Sequence, residues 1–479
     1  RQQLAIAAIV SVACLLVPVQ MASQTWDDHD RSGRYTCRDF GQNYLSSLQE
    51  TGNPIIFTNG DNDTFPLWYN QDVEGFRTDA RVCNLSYLQT DWYIDQMCRP
   101  AYDSPKVPIT WSRLQYCAGT NEYVIIDSSI KQYIKQWYAE DPEEARKVFG
   151  DNPFELKNVL KDWVRNEVSP EKREVMKILA GGRGDVHVIP TDTVYVTIDK
   201  EAVKKSGMMM AADSIPDRMV ISLKGKNALY KGDLMMLEMI AQCNWTRPIY
   251  VAMTVGEENY MNLGDNFVQE GLVNRITPFT TNAPGAKNFD TKRTYDNLMK
   301  KFKFGGLEKP GIYLDETVMR MCYTHRRIFV QLAMNLIAEG ENKKAAEVLA
   351  YLDKHIPSYN VPVSYMSGSF DEARAYAAIG NKQKAMELYK LLSAKSEQYV
   401  GWYCSLDGMR FQSSMRDCLT HIYILQQISL ETDSIDKKWS DAQQKRLNAL
   451  VKYYQSKGGS FGSSPAPDED GEYEDEYTE

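Results

Sequence analysis

The amino-acid sequence predicts an α/β domain with a Rossmann-like layered parallel sheet, preceded by one transmembrane helix and followed by an all-α region. Three observations lead to this prediction: an apolar run near the N-terminus, short apolar runs that alternate with helical patterns in the middle, and purely helical periodicity after about Thr317. Alternating strands and helices are typical of a parallel layered sheet. The predicted boundaries are 1–23 for the transmembrane helix, 24–300 for the α/β domain, 301–457 for helical repeats and 458–479 for a disordered acidic tail.

The apolar run reads LAIAAIVSVACLLVPVQMA from Leu4 to Ala22 and contains no charged residue. A helix that crosses a bilayer needs about 20 apolar residues, so this run is long enough to span. A signal peptide, with Met21-Ala22-Ser23 imitating a cleavage site, and a buried helix of a soluble protein are the alternatives. Because Arg1 precedes the run, the positive-inside tendency places the N-terminus in the cytoplasm and the remainder of the chain outside it.

The composition and motifs of the chain argue against several classes of function. The chain has 479 residues and a formal net charge of -9, without a basic patch, which argues against nucleic acid as a partner. Nine cysteines occur without a C-x-x-C pair, so zinc and thioredoxin-like sites lack support. The sequence also contains no P-loop, G-x-S-x-G, H-E-x-x-H or G-x-G-x-x-G motif, and no catalytic residue is assigned.

The α/β domain is predicted to begin with a helix over Gly33–Glu50, since its apolar side chains recur at helical spacing. Ile55–Thr58 is a short apolar run between turn signals, which favours a buried strand. A polar loop, Asn59–Thr64, follows, and then a helix over Phe65–Glu74 with Pro66 in its first turn.

The same alternation continues along the chain. The remaining predicted strands are Arg81–Leu88, Glu122–Asp127, Asp192–Ile198, Arg218–Leu223 and Pro248–Thr254. The remaining predicted helices are Asp91–Met97 with Thr90 as its cap, Ile130–Ala139 and Lys231–Gln242. A charged helical insertion is predicted over about residues 141–180.

Two segments in the C-terminal region are similar to one another. AEGENKKAAEVL begins at Ala338 and AIGNKQKAMEL begins at Ala378, about 40 residues later. Each places Gly at a turn, then Asn-Lys, then an amphipathic helix, which is close to tetratricopeptide-type helix pairs. The tail from Gly458 is rich in Gly, Ser and Pro and then almost wholly acidic, which predicts disorder.

The first candidate site is the loop after the strand Ile55–Thr58. Ligands of open parallel sheets bind just beyond strand ends. Asp61 and Asp63 form a D-x-D pair that, with Asn59, could hold a divalent cation through oxygen ligands. The alternative is structural: Asn59-Gly60 makes the turn, and Asp63 or Thr64 caps the following helix.

The second candidate site is a charged cluster just after the apolar run. Its three carboxylates and His29 could bind a metal ion, and its two arginines could clamp a phosphate or a carboxylate. The alternative is a solvated segment in which Asp30 or Ser32 caps the next helix. The members of this cluster are Asp27, Asp28, His29, Asp30, Arg31 and Arg34.

Four segments together resemble a known family. They resemble the C-terminal exported part of the bacterial domain-of-unknown-function 2723 group, which is also classed as glycosyltransferase family 117 and is similar to protein O-mannosyltransferases. The resemblance covers about Trp26 to Pro278. The four segments are WDDHDRSGRYTCRDF (Trp26–Phe40), FTNGDNDTFPLWY (Phe57–Tyr69), EGFRTDARVCNLSYLQTDWYIDQM (Glu74–Met97) and EGLVNRITP (Glu270–Pro278).

The resemblance implies a multi-spanning membrane domain that uses a lipid-linked sugar and that lies outside this sequence. Leu4–Ala22 would be its final span, and no catalytic residue can be carried over. The expected partners are that N-terminal membrane domain and an acceptor protein. We therefore expect the exported part of a membrane glycosyltransferase. The alternative is a non-catalytic, membrane-anchored scaffold that binds proteins through its helical repeats.

Overall fold

The computed structural model describes residues 2–182, 186–210, 214–281 and 287–461. The chain divides into two compact units, which are described separately. One unit comprises Arg1–Cys37 and Phe304–Glu479, and the other comprises Arg38–Lys303.

The strands of the described residues all lie within Arg38–Lys303. They are β1 (Ile55–Thr58), β2 (Arg81–Asn84), β3 (Tyr123–Ile126), β4 (Val188–Ile189), β5 (Thr193–Thr197), β6 (Arg218–Ser222), β7 (Ala228–Tyr230), β8 (Ile249–Ala252), β9 (Phe267–Gln269) and β10 (Val273–Ile276).

Helices occupy both units. The α-helices are α1 (Gln2–His29), α2 (Thr36–Ser47), α3 (Asp61–Asp72), α4 (Asp91–Met97), α5 (Arg113–Tyr116), α6 (Ser129–Glu140), α7 (Pro142–Phe149), α8 (Leu156–Asn158), α9 (Pro170–Leu179), α10 (Lys200–Lys205), α11 (Lys231–Gln242), α12 (Thr291–Asp296), α13 (Glu316–Ala338), α14 (Asn342–His355), α15 (Ser369–Ala378), α16 (Lys382–Ser405), α17 (Gly408–Ser413), α18 (Met415–Asp433) and α19 (Lys437–Ser456). Two π-helical turns cover Val159–Val164 and Asn297–Lys301, and 3₁₀ turns cover Tyr87–Gln89, Glu257–Asn259 and Gly264–Asn266.

The main sheet is mixed rather than parallel, which corrects the prediction. Its strand order is β2-β1-β8-β10-β9, where β1 runs parallel to β2 and β8, and β10 runs antiparallel to both of its neighbours. The connection from β9 to β10 covers only Glu270–Leu272, which is far too short for a parallel crossover and therefore makes a hairpin.

The other predicted strands do not join this sheet. β3 lies between β4 and β7 in a three-stranded sheet, and β5 pairs with β6 alone. The sequence pattern correctly predicted the strands β3, β5 and β6, but it did not predict which strands they pair with. The elements β1, α4 and α11 begin and end where the sequence predicted, and the charged segment after Asp141 is helical as expected.

The core of this unit forms on both faces of β1. Every β1 side chain is buried, as is most of α11, so the Met and Leu side chains of that helix are core residues. Helix α2 lies unusually close to α3, because a Cβ added at Gly41 would be 2.4 Å from the carbonyl oxygen of Pro66. This close approach requires glycine and sets the position of the α3 N-terminus.

Helix α1 is a possible membrane span. Its apolar window lies within Gln2–Trp26, has a mean hydropathy of 2.4 and buries no side chain against the protein. A signal sequence would pass the same test of length and composition, whereas a buried core helix does not fit a window that is fully exposed.

The helical region contains the two predicted helix turns. Gly340 joins α13 to α14 and Gly380 joins α15 to α16, both with φ near +80° to +85°. The guanidinium of Arg326 on α13 is buried and donates to the carbonyl oxygens of Ile356 at 3.0 Å and Val361 at 2.8 Å. The region is therefore built from packed helix pairs, and their assignment to a repeat type stays a prediction. The predicted tail lies mostly outside the described residues, which end at residue 461.

Candidate functional site

The first candidate site lies at the carboxyl edge of the main sheet. β1 and β2 run parallel with Thr58 opposite Asn84, so the segments that follow both strands emerge at the same edge. In sheets with parallel strands, ligands commonly bind at this edge. The structure thus places the predicted loop beside a second segment, Leu85–Gln89, which the sequence had not connected with it.

A buried hydrogen-bond network joins the two segments. The side-chain amide of Asn84 donates to Thr64 Oγ1 at 2.8 Å, and the Thr64 hydroxyl donates to the carbonyl oxygen of Gly60 at 2.7 Å. Thr58 Oγ1 lies 2.8 Å from Thr64 Oγ1, and Asn84 Oδ1 accepts from the backbone N–H of Tyr87 at 3.0 Å. Because these groups satisfy one another, the network fixes the shape of the edge.

The polar loop is shorter than predicted, because α3 begins at Asp61 rather than at Phe65. Gly60 is the N-cap residue, with φ 79° and ψ 176°, a conformation that essentially only glycine adopts. No side chain caps the helix, so the prediction that Asp63 or Thr64 acts as the cap is wrong. Both residues lie in the first turn instead.

The D-x-D pair does not form a two-carboxylate clamp. Residues two positions apart on a helix do not face each other, and here Asp61 is exposed whereas Asp63 is buried. Asn59 Oδ1 accepts from the Ser86 hydroxyl at 2.7 Å. Among residues 2–182, 186–210, 214–281 and 287–461, no group of three His, Cys, Asp or Glu side chains is arranged to hold a metal ion.

Asp63 is the most perturbed carboxyl group at this edge. Only 6% of its surface is exposed, and burial raises its pKa to about 6, against a smaller opposing effect of a hydrogen bond from Thr254. The Thr254 hydroxyl lies 3.0 Å from the Tyr44 hydroxyl. Tyr44, Thr254 and Asp63 therefore form a short polar chain beneath the surface.

The second candidate cluster lies in the other unit. Asp27 and Asp28 fall in the last turn of α1, and their side chains lie outside the described part of the structure. Asp30 Oδ1 accepts from the Ser32 backbone N–H at 2.9 Å and from the Ser32 hydroxyl at 2.6 Å, and the hydroxyl bond is the main cause that lowers the pKa of Asp30. Since α2 begins only at Thr36, neither Asp30 nor Ser32 caps it, which corrects that prediction.

The two arginines of the cluster contact one nearby segment. Arg31 Nη1 lies 3.7 Å from a carboxylate oxygen of Asp315, and the Arg34 guanidinium lies 4.3 Å from the ring centre of Tyr313. The structure brings both arginines against this segment.

Sequence reasoning missed a row of aromatic rings at the sheet edge. We call it the aromatic face and define it as Phe65, Trp68, Tyr87 and Trp92. Successive ring centres are 5.8, 6.2 and 5.8 Å apart. Phe65 is 46% exposed and Trp92 is 49% exposed, so the row opens to solvent. The density of aromatic residues in the two segments was a visible signal, but only the pairing of β1 with β2 brings the rings together.

The fold and this edge define a mixed α/β domain with an exposed row of aromatic rings at one sheet edge. The family model for TMEM260-associated domain 2 matches residues 37–294, more than half of the chain. The chain therefore belongs to the TMEM260-associated domain 2 family. Neither the curated proteins nor the solved structures include a match to this chain.

Proposed function

We propose that this chain is the exported part of a membrane glycosyltransferase of the domain-of-unknown-function 2723 type, and that it holds the acceptor for a membrane domain that uses a lipid-linked sugar. Two features support the proposal. Four long segments resemble that group, and α1 has the length and composition of a membrane span. The soluble part then lies on the periplasmic side of the inner membrane.

The observation that carries the proposal is where two of these segments lie in the fold. Phe57–Tyr69 forms β1 and most of α3, and Glu74–Met97 forms β2 and α4. The two strands are paired in parallel, so both segments contribute to one sheet edge and together supply the whole aromatic face. Residues that carry the resemblance thus converge on a surface suited to binding.

A glycan-transfer assay in cells tests this function. The full-length gene is compared with a version that stops before Gln24 and therefore lacks the soluble part. Expression and membrane insertion are checked for both proteins. We expect transfer to the acceptor protein to be lost, while the truncated protein remains inserted. Transfer at the level of the full-length protein would overturn the proposal and assign the exported part an accessory role.

The periplasmic location predicts a disulfide in the helical unit. The sulfur atoms of Cys404 on α16 and Cys418 on α18 are 3.9 Å apart and buried, so a small shift would bring them to bonding distance. Oxidising compartments favour such bonds, and reducing ones prevent them.

We expect mass spectrometry of protein alkylated in denaturant to find Cys404 and Cys418 joined. Cys322, which is buried on α13, should be alkylated and serves as the control thiol. Alkylation of all three cysteines in protein purified from its native membrane would contradict export to an oxidising compartment.

A second candidate is a non-catalytic scaffold, and an observation in the helical unit favours it. Leu391 on α16 and Leu430 on α18 are exposed large apolar side chains, which are common at protein-binding surfaces. The scaffold predicts that truncation before Gln24 leaves glycan transfer intact. The assay above therefore separates the two candidates.

A further inference from the structure

We propose that the aromatic face binds an uncharged saccharide. This inference rests on the proposed function, because it names the class of ligand that the same sheet edge would hold. Four observations support it: the exposure of the rings, their rigid support, the polar groups near them and the absence of Lys and Arg from residues 59–76 and 84–98.

The rings at both ends of the row are accessible to solvent. A sugar ring has a face of C–H groups, and the negatively polarised face of an aromatic ring attracts C–H groups that lie over it. Phe65 and Trp92 stand at the two ends of the row, and each exposes nearly half of its surface. Since Trp68 and Tyr87 lie between them, the row is long enough to contact more than one sugar unit.

The rings are held in place from beneath. Tyr93 is 1% exposed, and its ring centre lies 5.6 Å from that of Tyr87 and 5.5 Å from that of Trp92. Its hydroxyl accepts from the backbone N–H of Asn84 at 2.9 Å and donates to the carbonyl oxygen of Val82 at 3.3 Å. A ligand would therefore meet a preorganised surface and lose little affinity to ordering it.

Polar side chains without net positive charge surround the rings. Carboxylates accept hydrogen bonds from hydroxyl groups, and amides both donate and accept, which is the complement of a sugar rim. The exposed polar residues of Asn59–Thr64 and Leu85–Gln89 are Asp61, Asn62, Ser86 and Gln89.

The charge of the surface argues against anionic ligands. Residues 59–76 and 84–98 contain no Lys or Arg. The nearby Arg113 is already paired with Asp91 at 3.5 Å and with Asp95. Nucleotides, phospholipid head groups and acidic peptides need cationic partners, so an uncharged, hydroxyl-rich ligand fits this face better.

The test measures saccharide binding directly. The full chain is placed in lipid nanodiscs, because detergents with sugar head groups would compete. Saturation-transfer NMR then follows mannotriose, cellotriose and chitotriose, which are uncharged and differ in the orientation of their hydroxyl groups. A proline-rich decapeptide, the other ligand class that docks on aromatic surfaces, is measured in parallel.

Trp92→Ala is the main variant, and Trp402→Ala is its matched control. Trp402 is 55% exposed but lies on α16, so its loss removes an equally accessible ring outside the aromatic face. We expect saturation transfer to the C–H protons of at least one trisaccharide, about tenfold weaker affinity for Trp92→Ala, and unchanged affinity for Trp402→Ala. Phe65→Ala, at the other end of the row, repeats the test if Trp92→Ala has altered thermal unfolding.

Three results would overturn the inference. They are no saturation transfer to any trisaccharide, equal trisaccharide affinity of the Trp92→Ala and Trp402→Ala variants, or binding of the peptide alone. Because this experiment does not involve glycan transfer, its outcome is independent of the cellular assay. Saccharide binding with transfer unaffected by truncation would reject the proposed function alone. Loss of transfer on truncation without saccharide binding would reject this inference alone.

Discussion

Replacing Glu270 by alanine is expected to lower the free energy of unfolding of the α/β unit by about 3–5 kcal/mol, the usual cost of leaving a buried charge without its partner. Glu270 Oε1 lies 3.5 Å from the fully buried Arg275 and accepts from Arg293 at 2.6 Å. Its other oxygen accepts from the Tyr250 hydroxyl at 3.2 Å. Truncation would leave Arg275, which is a residue of β10 and pairs with β8, charged in the core.

The measurement is urea-dependent hydrogen exchange of peptides from β8 and β10, which reports this unit specifically. The double variant Glu270→Leu with Arg275→Met removes both buried charges and should recover most of the lost stability, because well-packed apolar pairs replace buried ion pairs at little cost. Glu140→Ala, an exposed change on α6, should shift the unfolding free energy by less than about 0.5 kcal/mol. Equal effects for Glu270→Ala and Glu140→Ala would contradict the assigned role of Glu270.

Replacing Asp63 by asparagine is expected to stabilise the same unit by about 2–3 kcal/mol at pH 8. Burial raises the pKa of Asp63 from its ordinary value of 3.8 to about 6, so above that pH the folded protein carries a buried carboxylate that is less stable than the solvated carboxylate of the unfolded chain. Asparagine has nearly the same shape, stays neutral and keeps an oxygen that can accept from Thr254.

The pH dependence gives the sign of this effect. Between pH of about 4 and 6 the folded protein binds the Asp63 proton more strongly than the unfolded chain does, so the stability contributed by this group falls as pH rises. The advantage of Asp63→Asn should therefore be near zero at pH 4 and reach its full value above pH 6. Urea unfolding at pH 4 and at pH 8 measures this advantage. Asp61→Asn, on the exposed side of α3, is the control. A constant difference between the two pH values would show that burial does not disfavour the ionised form of Asp63.

Apolar sequence patterns predicted strands and helices well where one or both faces of the element are buried. Ile55–Thr58 is a continuous apolar run and forms β1, because a central strand of this sheet is buried on both faces. Lys231–Gln242 is predicted as a helix and forms α11, whose Leu and Met side chains are buried. The start of α3 was placed too late, because Asp61 to Thr64 have the composition of a turn although Gly60 already ends the loop.

At the first candidate site, the sequence located the polar residues but did not predict the directions of their side chains. Asn59, Asp61 and Asp63 were found because they follow a strand, and the structure places all three at the sheet edge. Whether two carboxylates face one ion depends on the helical geometry of their segment, and this geometry directs Asp61 to solvent and Asp63 to the core. The aromatic residues are evident in the sequence, but their assembly into one face could not be predicted, because the rings come from segments about 20 residues apart.

The sequence by itself determined the apolar N-terminal helix, the strands β1, β2, β3, β5, β6 and β8, and the two helix turns at Gly340 and Gly380. These properties follow from composition, periodicity and turn residues, which act over a few neighbouring positions. Only the tertiary structure decided that the sheet is mixed, that Glu270 and Arg275 meet in the core, and that Phe65 to Trp92 form one surface. Strand pairing and burial depend on contacts between distant residues, and hydrophobic burial, the main force that selects them, is not directional and does not specify partners along the sequence.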